Sequence, residues 1–243
     1  MLAKDSPLRR LPGDLDPKQA FFFDGLRHAY EIADLALSRL RRELSELART
    51  GAQGPVEPER YNTAFLDAWA FVDAVDRFRS LWTLLPGLPQ DSVSGSVSDF
   101  TSLLSPIRNL RNVADHLAVR ADYVLSRRGC ALGTLQWVTI EFTTPVRGRS
   151  CTLRPGFFQG GSLSLLDPGK YTFDTSSPTG LVVLSAGEYS ANLLDYLPQL
   201  EARIRHIETA VAAALATSTP GTSDALLIGE FTAHELPTGG NAA

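Results

Sequence analysis

The chain is poor in the residues that staple or metallate proteins. Two cysteines, Cys130 and Cys151, and four histidines are all that occur in 243 residues. Their scattered spacings match neither a secreted disulfide framework nor a structural zinc motif. The expectation is a reducing, cytoplasmic setting with no metal and no cofactor. An excess of positive charge is missing too: 23 Lys and Arg stand against 27 Asp and Glu, a net charge of −4. That excludes a generally basic nucleic-acid coat and leaves room only for a local patch. Long apolar runs are absent. Val211–Leu215 is mostly alanine and too short to span a bilayer, and the N-terminus, with Lys4, Asp5, Arg9 and Arg10 around Pro7 and Pro12, has no signal core. There is no P-loop and no dinucleotide fingerprint. Ser162 sits outside any Gly-x-Ser-x-Gly elbow, and His234-Glu235 lacks the second histidine of a helical zinc motif.

What the chain does have is apolar material in helical rhythm. Hydrophobic residues make up 44% and charged residues 21%, enough for a packed core. A first helix is predicted over 17–49, with Asp16 as cap and Pro17 in the first turn. Ile32, Leu35, Leu37, Leu40, Leu44 and Leu47 recur there at three- and four-residue steps. A second helix runs from about Glu57 to Leu85 and stops at Pro86-Gly87, burying Phe65, Trp69, Val72, Val75, Leu81, Trp82 and Leu85. Beside that stripe lies a polar seam, Asp73 with Arg77 and Asp76 with Ser80. It reads either as surface ion pairing or as the lining of a site.

A third helix is predicted to start at Ser105-Pro106, after a turn over 99–104, and to run to about Arg128 before Gly129. From 129 to 188 the period changes. Val138, Ile140 and Phe142 alternate with polar residues, and Gly- and Pro-rich turns separate short apolar runs such as Phe157-Phe158, Tyr171–Phe173 and Leu181–Leu184. Four or five antiparallel strands in a small meander are expected. The last helix is predicted over 190–216, with Leu193, Leu197, Leu200, Ile204, Ile207, Val211 and Leu215 in a heptad-like seam and a kink or late start at Pro198. The expected fold is mainly α with a β insertion (α+β): an antiparallel four-helix bundle with the meander between its third and fourth long helices. Residues 1–16 form an N-terminal arm, and 217–243 a flexible tail with strand potential at 225–231.

The stretch with most chemical content is Ile107–Leu117. On a continuous helix Arg108, Asn112 and His116 stack at four-residue steps, and Arg111 and Asp115 form a neighbouring line. Histidine can accept and return a proton near neutral pH, and arginine presents donors suited to phosphate. Those parts suffice for metal-independent RNA cleavage in which the ribose 2′-hydroxyl is the nucleophile. The competing reading makes Arg111–Asp115 an i,i+4 ion pair and His116 a structural residue.

The run Arg111-Asn112-Val113-Ala114-Asp115-His116 resembles the Arg-x4-His motif of the HEPN family of helical-bundle proteins. The resemblance covers the bundle, roughly 17–128 and 190–216, and includes no motif for the β block. Asp73–Arg77, Leu84–Gly87 and Gly133–Val138 also look like uncharacterised bacterial proteins of this general type. The resemblance implies a homodimer with a composite site, acting as an endoribonuclease or a defence or toxin-type effector. In that role His116 is the general acid/base, Arg111 the phosphate stabiliser, and Asn112, Arg108 and Asp115 support them. Asp73 and Arg77 are candidates to line the site. A second function stays open: a non-catalytic helical dimer that presents the β insertion, with Arg147, Arg149 and Arg154, to a protein partner.

Overall fold

Asp16 starts the first long helix as expected, its Oδ1 accepting the Gln19 amide at 3.0 Å. The computed structural model describes residues 1–50, 56–88, 96–119, 121–126, 130–143, 147–155, 166, 169, 171, 177–221 and 224–229. Among these it is mostly helical, with six α-helices and one four-stranded antiparallel sheet. Phe157, Phe158, Ser162, Phe173, His234 and Glu235 lie outside the described residues. No described helix is long and apolar enough to cross a membrane.

Helix α1 (Pro17–Thr50) and α2 (Pro58–Leu84) form an antiparallel hairpin. Leu37, Leu40 and Leu44 are buried as predicted, but Ile32 and Leu35 are 47% and 48% exposed. The inward stripe of α1 passes instead through Leu26, Ala29, Tyr30, Ala33 and Ala36, because small side chains let α2 approach closely. Counting only large apolar residues puts the stripe out of phase. On α2 the inward face is richer than predicted, with Phe71 and Phe78 fully buried, while Trp69 and Leu81 sit half-buried at its edges.

After α3 (Val97–Leu103), held by a Ser96/Asp99 capping box, α4 spans Ser105–Asp115. The expected continuous helix to Arg128 is therefore wrong. His116 is the C-cap of α4 (φ −113°, ψ 22°), and a separate short helix, α5 (Ala121–Ser126), follows. The core-facing residues continue in phase beyond the break, with Leu117 half-buried against the core and Val124 on α5 3% exposed, as its spacing from Leu110 and Val113 predicts. Residues 116–119 form a turn in which Val119 is 89% exposed, so the helix is interrupted there although the buried face resumes.

Strands β1 (Thr134–Glu141), β2 (Arg147–Leu153), β3 (Thr179–Ala186) and β4 (Tyr189–Asn192) are ordered β2-β1-β3-β4. The expected meander is corrected on two counts. The β2-to-β3 connection passes β1, which lies between them, and β4 takes residues predicted to open the last helix. Helix α6 (Leu197–Leu215) starts late, with Pro198 in its first turn. The sheet is an integral layer of the core. Leu135, Trp137, Leu153, Val182 and Leu184 join the helices in one buried cluster, while Val138, Leu181 and Val183 pack under Leu166 on the other face. Phe142, past the end of β1, is exposed.

The heptad-like seam of α6 is consumed inside the chain, with Leu200, Ile204, Ile207 and Val211 buried in that same core. The N-terminal segment is anchored: Leu8 is buried, and the Ser6 hydroxyl donates to Glu208 on α6 at 2.6 Å. The start of the tail pairs back on it through Gly13 N to Thr219 O (2.9 Å) and Gly221 N to Leu11 O (2.7 Å). Residues 225–229 form no strand.

Gly133, which leads into β1, has φ 79°, and a Cβ there would run into the Ser185 carbonyl oxygen on β3. Gly133→Ala is expected to lower the unfolding free energy by more than about 1 kcal/mol, from left-handed strain plus the backbone clash. Urea denaturation reads the change.

Candidate functional site

The polar band on α4 is built against α2. Both helices present a buried stripe to the core, which brings the seam beside the α2 stripe up to the terminal turn of α4. Arg111 Nη1 donates to Asp76 Oδ2 at 2.7 Å. Its Nη2 lies 3.2 Å from Asp73 Oδ1 and its Nε 3.7 Å from Asp115 Oδ2. Asp76 is 5% exposed and also accepts from Arg79 Nε at 2.8 Å, while Asp73 accepts from Arg77 Nη2 at 2.9 Å. Ser80 closes the seam by donating to the Asp76 carbonyl at 2.9 Å and accepting from Arg79 Nη2 at 3.1 Å. The bond to Asp76 outweighs burial and holds the Arg111 guanidinium above its ordinary pKa, with Asp73, Asp76 and Asp115 adding to the effect.

The structure thus brings Arg111, Asp115, Asp73 and Arg77 together with Asp76 and Arg79 in one balanced network of three arginines and three aspartates. Arg108, Asn112 and His116 stand outside that network. Arg108 and His116 are exposed and Asn112 is half-buried. Because α4 ends at Asp115, His116 does not continue the four-residue line from Arg108 and Asn112. Asp76 is the residue whose weight the sequence understated. Its i,i+3 step to Arg79 was the available signal, and its reach to Arg111 crosses between helices. A phosphate approaching Arg111 would have to compete with Asp76 and Asp73 for the same donors.

The arginines of the β block are also partly engaged. Arg149 donates to the Ala48 carbonyl at 3.0 Å and pairs with Glu141 at 3.2 Å, and Arg154 Nε donates to Cys130 Sγ at 2.9 Å. Arg147 is exposed.

Two further arginines stand out by burial; the sequence marks Arg27 only through its i,i+3 and i,i+4 steps to Asp24 and Glu31, and its partner Asp224 is far away along the chain. Arg27 on α1 is 2% exposed. Its Nη2 lies 2.7 Å from Asp24 Oδ1, 2.6 Å from Asp224 Oδ1 and 2.8 Å from His28 Nε2. Asp24, His28 and Asp224 have the mutual spacing of a cation-binding set, but the guanidinium nitrogen already occupies its centre. Burial works to lower the Arg27 pKa, yet the bonds to Asp224 and Asp24 raise it above the usual value. Arg203 on α6 is 1% exposed and lies over the Phe100 ring, its guanidinium carbon 3.6 Å from the centroid. Burial depresses its pKa to about 10.

Comparison with protein families, with curated proteins and with solved structures finds no match.

Proposed function

We propose that the chain is a HEPN-like protein, built on an antiparallel four-helix bundle of α1, α2, α4 and α6, that works in the cytoplasm as a homodimeric, non-catalytic interaction module. The observation that carries this reading is the engagement of Arg111 by the acids of α2. Its donors are committed to Asp76 and Asp73, so it ties α4 to α2 instead of facing a substrate phosphate. The heptad-like seam of α6 is spent in the core, which leaves the outward side of the α1–α2 hairpin for association. Ile32, Leu35 and Leu66 are 47%, 48% and 64% exposed there. Light scattering is expected to give twice the monomer mass, and a Leu35→Glu/Leu66→Glu double variant is expected to give the monomer. A wild-type monomer would count against the dimer.

A second reading, a metal-independent endoribonuclease with a site shared between two copies, is favoured by one observation. His116 is exposed at the end of α4, and the Arg111 side chain keeps 35% exposure. There His116 would act as general acid/base and Arg111 as phosphate stabiliser. Incubation with RNA in chelator separates the two readings. The interaction module leaves RNA intact in wild type and in His116→Ala alike, whereas cleavage that vanishes in His116→Ala would establish the nuclease.

A further inference from the structure

Beside the N-terminal end of α1 lies an open cleft of ≈ 420 Å³. Its lining combines apolar side chains, among them Leu11, Ala20 and Phe21, with the charged groups of Arg9, Asp24, Arg27 and Asp224. The volume falls in the range of small-molecule sites, and an apolar lining with a few convergent charges is their usual composition.

Arg27 is the buried element of this cleft, and the group bound to it comes from the far end of the chain. Asp224 grips the guanidinium with both oxygens, Oδ2 on Nη1 at 3.0 Å and Oδ1 on Nη2 at 2.6 Å. This is the fork-on-fork geometry of a carboxylate ligand. Asp224 itself is 61% exposed. It follows the short pairing of 219–221 with 11–13 and precedes Leu226, Leu227 and Ile228, which are 84%, 92% and 78% exposed. Arg27 keeps one buried donor, Nε, without an acceptor. With Asp224 withdrawn, Arg27 would keep Asp24 and Glu31 but lose its two-oxygen partner, and an incoming carboxylate would restore that fork.

We propose that this cleft binds a small aliphatic carboxylate, its head group taking the place of Asp224 on Arg27 and its chain lying along Leu11, Ala20 and Phe21. The C-terminal segment is then a tethered competitor, and the site reports on whether that segment is engaged. A ligand gains apparent affinity when the competing state is removed, because binding is weakened by the fraction of protein in which the site is closed.

Titration calorimetry of octanoate into the full-length chain tests this. Asp224→Ala is expected to bind octanoate at least about tenfold tighter than wild type. Phe21 is 67% exposed, so Phe21→Asp is placed to spare the fold and charge the apolar lining. In the Asp224→Ala background it is expected to abolish the binding, as is replacing octanoate by 1-octanol. Equal affinity in wild type and Asp224→Ala, no binding by Asp224→Ala, or binding that survives Phe21→Asp would each overturn the proposal. So would a gain for inorganic phosphate without one for octanoate.

Discussion

Asp76→Ala is expected to cost about 3 kcal/mol of unfolding free energy, the scale for removing one partner from a buried ion pair. Asp76 is 5% exposed and receives Arg79 from its own helix and Arg111 from α4, so its loss removes the buried acid shared by two guanidinium groups at the α2–α4 contact. Arg79 is mostly buried, its side chain 12% exposed, and cannot turn wholly to water. Arg111 is more exposed and loses less, which keeps the expected cost near the lower end of the range. Asp73→Ala, at the exposed margin of the network, is expected to cost under about 1 kcal/mol. Urea denaturation of the two variants side by side distinguishes a keystone carboxylate from a surface one.

The second large effect has the opposite sign. Arg203→Met is expected to raise the unfolding free energy by about 2 kcal/mol. Arg203 is 1% exposed, donates from Nη1 to the Gln199 carbonyl at 2.9 Å, lies over Phe100 and has its Nε unpaired. The stacking on Phe100, with Trp82 at 5.6 Å, returns about 1–2 kcal/mol, less than the burial of a charge costs. Methionine keeps the aliphatic stem and removes the charge. The pH dependence has a definite sign. The folded-state pKa of about 10 lies below the ordinary arginine value, so the charge destabilises the fold at every pH below about 10. Relief comes as pH rises above 10 toward the ordinary value. The advantage of Arg203→Met over wild type is therefore expected to be constant from pH 6 to 9 and to shrink above pH 10.

The long helices were legible because their signals are local. Asp16 and Pro17 mark the start of α1, Pro86 follows α2, and Pro198 delays α6, each through a backbone rule that needs no tertiary context. The phase of α1 was not legible. Ala29, Ala33 and Ala36 bury themselves only because α2 is close, and periodicity weighted by large side chains points to Ile32 and Leu35 instead. The end of α4 was not legible either. Helical propensity continues through Ala118–Ala121 and the core-facing stripe resumes at Leu117 and Val124, so neither propensity nor periodicity marks the break at His116. At the candidate site the i,i+4 pairs were visible, whereas Arg111–Asp76 spans 35 residues and Arg27–Asp224 spans 197. No spacing rule reaches that far.

A double-mutant cycle between Asp76 and Arg111, followed by urea denaturation, tests most directly whether that arginine is a clamp between helices. Asp76→Ala, Arg111→Ala and the double variant are expected to show a coupling of at least about 1 kcal/mol, the double variant losing less than the two single losses combined. Strictly additive losses would show that the guanidinium is not held by that carboxylate in solution, and would return Arg111 to the list of groups free to meet a phosphate.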